Sequence, residues 1–130
     1  MTNETTPELR TIAALAGKRP VRSFSAGDVI FRSGDSGDRV YGIVSGDVQL
    51  SWGGDQVETL GPGSCFGAGA LVDREHRRFG TATALTDVGL LEMNREEFLF
   101  AMQELPMFAL EMLHDLETRL QNLKLRQPGA

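Results

Sequence analysis

Apolar residues between Val29 and Met93 come in short clusters: Val29 to Phe31, Val40 to Val44, Val48 to Trp52, Val57 to Leu60, Gly80 to Leu85 and Val88 to Met93. The pairs Gly27-Asp28, Gly34-Asp35, Gly37-Asp38, Gly46-Asp47 and Gly54-Asp55 punctuate them. Such pairs suit tight turns, because Gly reaches positive φ without a steric cost and Asp bonds nearby backbone groups. Turn signals at a spacing of roughly 8 to 12 residues predict an all-β sandwich or barrel, with about eight strands in all.

The ends follow a helical rhythm. Thr6 as a cap, Pro7 just inside and Gly17 just after Leu15 and Ala16 predict a short N-terminal helix, with Leu9, Ile12 and Ala13 on one side, forming a lid. After the last strand, Asn94 and Glu97 have the spacing of a capping box ahead of Phe98, Leu99 and Met102. Pro106 breaks that run and allows a second helix to start. In it Ala109, Leu113, Leu116, Leu120 and Leu123 fall on one stripe, which either packs on its own barrel or pairs with the same helix of a second chain. Pro128 to Ala130 reads as a frayed tail. The expected organisation is one domain: a helical lid at 1–19, a β unit at 20–93 and C-terminal helices at 94–126.

With 130 residues, 41% apolar and 24% charged, the chain has globular composition. Its 13 Lys and Arg against 18 Asp and Glu leave a net charge of −5, the wrong sign for a general nucleic-acid or membrane-surface binder. Any anion must therefore be held by a local site. Cys65 is the single cysteine, so no internal disulfide or thiolate metal cage can form, which fits a reducing compartment. No apolar stretch has the length to span a membrane and the start does not resemble a signal peptide, so the expected location is the cytoplasm.

One segment carries candidate chemistry. Gly61-Pro62-Gly63-Ser64-Cys65-Phe66-Gly67-Ala68-Gly69-Ala70-Leu71-Val72 is followed by Asp73-Arg74-Glu75-His76-Arg77-Arg78-Phe79. Glycines allow close approach of the backbone to a ligand, and Ala70 to Asp73 can form one helical turn whose first N–H groups lack intrahelical partners. Unpaired donors beside three arginines favour a single phosphate. A connecting loop with a solvated charged face is the other reading of the same residues.

From Phe24 to Leu120 the chain resembles the cyclic nucleotide-binding domain family, the type found in the catabolite activator protein and protein kinase A regulatory subunits. The motifs are Phe24-Ser25-Ala26-Gly27-Asp28-Val29-Ile30-Phe31, Gly34-Asp35-Ser36-Gly37-Asp38, Val40-Tyr41-Gly42-Ile43-Val44-Ser45-Gly46 and Ala84-Leu85-Thr86-Asp87. The resemblance implies a mainly β fold: an eight-stranded, jelly-roll-like β-roll (a double-stranded β-helix) with a short N-terminal helix and C-terminal helices. It also implies that 61–79 is a phosphate-binding cassette. Phe66 and Gly67 match the family's Phe-Gly-Glu, but the glutamate that holds the ribose hydroxyl falls on Ala68. Gly69 stands where Leu or Ile is usual, while Ala70 and Leu71 fit. Arg78 corresponds to the arginine that pairs with the cyclic phosphate, and Phe79 replaces a small or hydroxyl residue, where its ring could partly fill the pocket.

The expected ligand-binding set is therefore Phe66, Gly67, Ala68, Gly69, Ala70, Arg78 and Phe79, with cyclic AMP or cyclic GMP as the ligand and no catalytic residues, metal or cofactor. His76 and His114 are too few and too far apart for a metal site or to serve Cys65 as a base, which leaves Cys65 as a buried small residue. The expected function is a regulatory sensor, not an enzyme, that relays a small phosphate ligand through its last helix. The alternative is a degenerate roll acting as a protein-interaction or dimerisation module, with Leu113, Leu116, Leu120 and Leu123 as the homodimer seam. Only seven residues follow Leu123, too few for a helix-turn-helix, so no direct DNA binding is expected; the acidic charge and the lack of a spanning segment lead to the expectation of no membrane partner.

Overall fold

A computed structural model describes residues 10–126; the expectations for Thr6, Pro7, Leu9 and the 128–130 tail lie outside them. The order is α1 (Arg10–Ala16), β1 (Arg22–Phe24), β2 (Val29–Phe31), β3 (Val40–Ser45), β4 (Val48–Trp52), β5 (Gln56–Leu60), β6 (Cys65–Phe66), α2 (Gly69–Val72), β7 (Thr81–Ala84), β8 (Val88–Met93), α3 (Arg95–Glu104) and α4 (Met107–Leu125). Eight strands form two antiparallel four-stranded sheets, ordered β1-β8-β3-β6 and β2-β7-β4-β5. The six strands named from the apolar clusters recur within a residue at each end, and β1 and β6 complete the set. Those two are only three and two residues long, too short to show alternation.

Alternation along the central strands builds two cores, because successive side chains leave a strand on opposite faces. Tyr41 and Ile43 of β3, Phe66 of β6 and Val88 and Leu90 of β8 face the second sheet, meeting Val48, Leu60, Ala82 and Ala84. Val40, Cys65, Leu91 and Met93 face the other way and receive Ile12 of α1, Ala101 of α3, and Phe108 and Met112 of α4. Burial on both faces makes β3 and β8 nearly continuous in apolar residues. Gly42 leaves room for α1: a Cβ there would collide with Ile12 Cδ1. Ala13, expected on the packing side, is exposed; Thr11 and Ile12 are buried in its place.

The capping box at Asn94 forms as the spacing predicts: Glu97 N–H donates to the Asn94 side chain and Asn94 N–H to the Glu97 carboxylate, both at 2.8 Å. The stripe on α4 is split: Ala109 is half-buried and Leu123 lies against the roll, while its middle does not pack there. Leu113, Leu116 and Leu120 are exposed, and α4 docks through Phe108, Met112 and the polar pair Asp115 and Arg119. The heptad spacing identifies an apolar face, but the turn at Pro106 sets which side of the helix meets the roll.

Candidate functional site

Residues 76–78 run antiparallel to the loop at 34–37. Gly34 N–H donates to Arg78 O (2.8 Å), Arg78 N–H to Asp35 O (2.8 Å) and Gly37 N–H to His76 O (2.7 Å), and Ser36 bridges Arg77. His76 enters with a φ of +56°, and in the extended pair that follows, Arg77 and Arg78, the side chains point to opposite sides. Arg77 turns to solvent and pairs with Glu75 at 3.0 Å, whereas Arg78 turns inward and is only 6% exposed. Of the three arginines in the loop, Arg78 alone enters the roll.

Its guanidinium lies 4.1 Å from the centroid of the Phe31 ring and 5.7 Å from that of Tyr41. Those rings and Phe66 pack together, with Tyr41 and Phe66 stacked at 5.2 Å, and offer a π-face to the cation. Nη1 donates to Gly67 O at 2.8 Å and Nη2 to Arg39 O at 2.9 Å. Nε is buried without a partner among the described residues, and a Cβ on Gly37 would collide with it. Burial pulls the guanidinium below its usual pKa, while Tyr41 and the carboxyls of Asp38 and Asp35 act in the opposite direction. Among the described residues no carboxylate lies within ion-pair distance of Arg78. The result is a buried cation held by two neutral carbonyls.

Opposite it, β6 ends at Phe66 and the chain turns at Gly67, whose φ of +87° suits glycine and whose missing Cβ leaves room for Arg78 Nη1. The turn feeds α2, one residue earlier than the sequence predicts. No acceptor among the described residues takes the N–H groups of Gly67, Ala68, Gly69 or Ala70. A cavity of about 270 Å³ opens here, and Gly67, Gly69, Ala70, Arg78 and Phe79 line it. Phe66 and Ala68 do not: Phe66 belongs to the aromatic support under Arg78, and Ala68 packs toward the helices. Phe79 is 82% exposed and forms part of the wall, so its ring leaves the hollow open.

Phe31, Leu50 and Gly80 also line it, and the remaining wall comes from residues the cassette motif does not include: Trp52 from β4, Glu58 from β5, and Arg119 and Leu123 from α4. Arg119 reaches across from the helix, donating Nε and Nη2 to the two Glu58 oxygens at 2.9 and 3.1 Å and Nη1 to Cys65 O at 3.0 Å. Asp115, one turn earlier, accepts from Ser64 Oγ at 3.0 Å and lies 3.7 Å from Arg119. A signal for this pair was present in the sequence: Glu58 alternates with buried Leu60, so a charge stands at an inward strand position.

Cys65 is buried, and desolvation pushes its thiol up to about 12, the opposite of an activated nucleophile. His76 and His114 are exposed, and His76 Nδ1 lies 2.8 Å from Ala70 O, where it ties the cassette loop to α2.

The sequence profile of the family described as "Cyclic nucleotide-binding domain" matches residues 21–104. The chain belongs to that family. It is 36% identical over 109 residues to the cyclic AMP receptor protein of Thermus thermophilus, covering 80% of this chain and 50% of that one. It is 42% identical over 74 residues to the cAMP-dependent protein kinase regulatory subunit of Eremothecium gossypii, covering 57% and 16%. The solved structure of the T. thermophilus catabolite activator protein superposes with a TM-score of 0.68 at 32% identity, over 95% of this chain and 59% of that one. A structure described with a cyclic-GMP-dependent pathway of bacterial phytopathogenesis gives 0.71 at 27% identity, over 93% and 98%. The chain thus spans half or less of the length of these two sequence relatives.

One expectation is overturned. The exclusion of direct DNA binding rested on where the chain stops, yet its relatives include a CRP-like cAMP-activated global transcriptional regulator of Mycobacterium tuberculosis, 30% identical over 87% of this chain and 52% of that one. The position of a chain end carries no information about DNA. No helix among the described residues is long and apolar enough to cross a membrane.

Proposed function

We propose that the chain is a regulatory sensor that takes a cyclic nucleotide, cyclic AMP or cyclic GMP, with its phosphate between the Arg78 guanidinium and the amides of Gly67 to Ala70. The observation that carries this reading is the state of Arg78. A desolvated charge without a counter-charge is costly, and an arriving phosphate would supply the missing anion along with acceptors for idle N–H groups. Because residue 68 is alanine, the ribose hydroxyl has no carboxylate partner there. A hydrogen bond to a charged group is worth about 1.5–3 kcal/mol, so affinity rests on the phosphate, the cavity walls and the groups beyond them. The relay runs through α4, within the helices at 94–126: Arg119 and Leu123 line the cavity, so a ligand that fills it meets this helix directly and biases how it packs.

Titration calorimetry on the whole chain tests the reading. Saturable heat with cyclic AMP or cyclic GMP is expected, lost in Arg78→Ala and only partly recovered in Arg78→Lys, which keeps the charge but not the planar fork. If the folded wild-type chain gives no heat with either nucleotide at millimolar concentration, the sensor reading fails and a roll serving only as an interaction module takes its place.

A further inference from the structure

We propose that Glu58 is the base-reading residue of this cavity and that it selects guanine over adenine; the inference rests on the nucleotide reading above. Glu58 and Arg78 line the same hollow, so a ligand whose phosphate sits on Arg78 has the rest of its length to reach β5. The Glu58 side chain is 12% exposed and both oxygens already accept a parallel pair of N–H donors, from Nε and Nη2 of Arg119. A planar carbon bearing two N–H groups on one edge describes a guanidinium and equally the N1–H and 2-amino edge of guanine. Guanine can therefore take over the bonds that Arg119 now makes. The adenine edge pairs one donor, its 6-amino group, with the N1 lone pair, and that lone pair would face a carboxylate oxygen that has no proton to offer. Trp52 and Phe79 supply the aromatic walls a purine needs, and stacking there tolerates either base. Discrimination falls to the carboxylate.

The exchange does not strand a charge. Arg119 displaced from Glu58 keeps the Cys65 carbonyl at 3.0 Å and has the Asp115 carboxylate 3.7 Å away. Because Arg119 belongs to α4, the group that identifies the base is also the group that releases one of the helix's holds on the roll.

Competition calorimetry on the intact chain with cyclic GMP, cyclic inosine monophosphate and cyclic AMP tests the proposal without a substitution. Cyclic inosine monophosphate keeps N1–H but lacks the 2-amino group, so affinity should fall in the order cyclic GMP, cyclic inosine monophosphate, cyclic AMP. The outer pair should differ by at least about tenfold, the low end for loss of a hydrogen bond to a charged group. Glu58→Gln turns the carboxylate into an amide that can donate to adenine N1 and accept from its 6-amino group, so the preference should shrink or reverse. Cyclic AMP binding as tightly as cyclic GMP in the wild type, or a Glu58→Gln chain with an unchanged ratio, overturns the assignment of Glu58 while leaving the sensor reading intact. Absence of binding by all three nucleotides overturns both.

Discussion

Arg78 lies with its guanidinium 4.1 Å above the Phe31 ring, and Gly37 passes so close that a Cβ there would collide with Nε. A buried cation is held against an aromatic face and a backbone that can carry no Cβ. Gly37 has no positive φ, so glycine is needed here for space alone. Gly37→Ala should push Arg78 off Phe31, costing about 1–3 kcal/mol of stability as overpacking does and weakening phosphate binding. Urea denaturation and nucleotide titration of the same variant read both effects, and unchanged values in both would show that the clamp is not tight.

Phe79 should divide stability from binding. Its side chain is 82% exposed, so Phe79→Ser is expected to change unfolding free energy by no more than about 0.5 kcal/mol. As a wall of the cavity it offers a stacking surface of the kind worth about 1–3 kcal/mol per base, or roughly 5- to 150-fold in affinity. Thermal melts beside calorimetry separate the two numbers. An affinity equal to or higher than wild type would place the base elsewhere.

Cys65 ties stability to alkaline pH. Its thiol pKa is raised from 9.0 to about 12 in the folded chain, chiefly by desolvation, so the unfolded state loses its proton first as pH rises. The contribution is fully present below pH 9 and declines between 9 and 12. Urea midpoints should therefore fall more steeply across that window in the wild type than in Cys65→Ala. The native thiol should also react slowly with a disulfide reagent at pH 8 and quickly once unfolded.

The start of α3 gives the acid counterpart. Asn94→Ala removes the cap from Glu97 N–H and should cost about 1 kcal/mol. A hydrogen bond from Arg19, and then the Asn94 amide, hold the Glu97 carboxyl below its ordinary 4.5. The stability it contributes is present above that value and is lost as pH falls through the lower folded one. Exposure of the Arg19–Glu97 pair keeps the effect small, so Glu97→Gln should blunt acid destabilisation only slightly in melts between pH 5 and 3.

Strands such as β4 and β8, the capping box and the interruption at Pro106 were legible because their signals are local: turn chemistry, alternation, and a cap three residues from its partner. β1 and β6 were not, since strands of three and two residues exist only through the neighbours that pair with them. Arg78 and the turn at Gly67 were found through motif positions, but which face of 76–78 pointed inward depended on pairing with the 34–37 loop. Phe66 matched the motif and Ala68 stood at its glutamate position, yet both fell outside the cavity: alternation in β6 sent the Phe66 ring into the aromatic cluster with Phe31 and Tyr41, and Ala68, beyond the turn at Gly67, packs toward the helices.

What the sequence determined by itself is the strand-and-turn pattern of the fold and the placing of an arginine-bearing loop after a glycine-rich turn, because turn residues and apolar periodicity act over a few residues at a time. Only the tertiary structure decided that Arg78 lacks a counter-charge, that Phe79 stands aside, that Leu113, Leu116 and Leu120 face outward, and that Glu58 meets Arg119 across 61 residues of chain. Charge pairing and cavity shape depend on which surfaces touch once the helices have docked on the roll, and no local pattern encodes that.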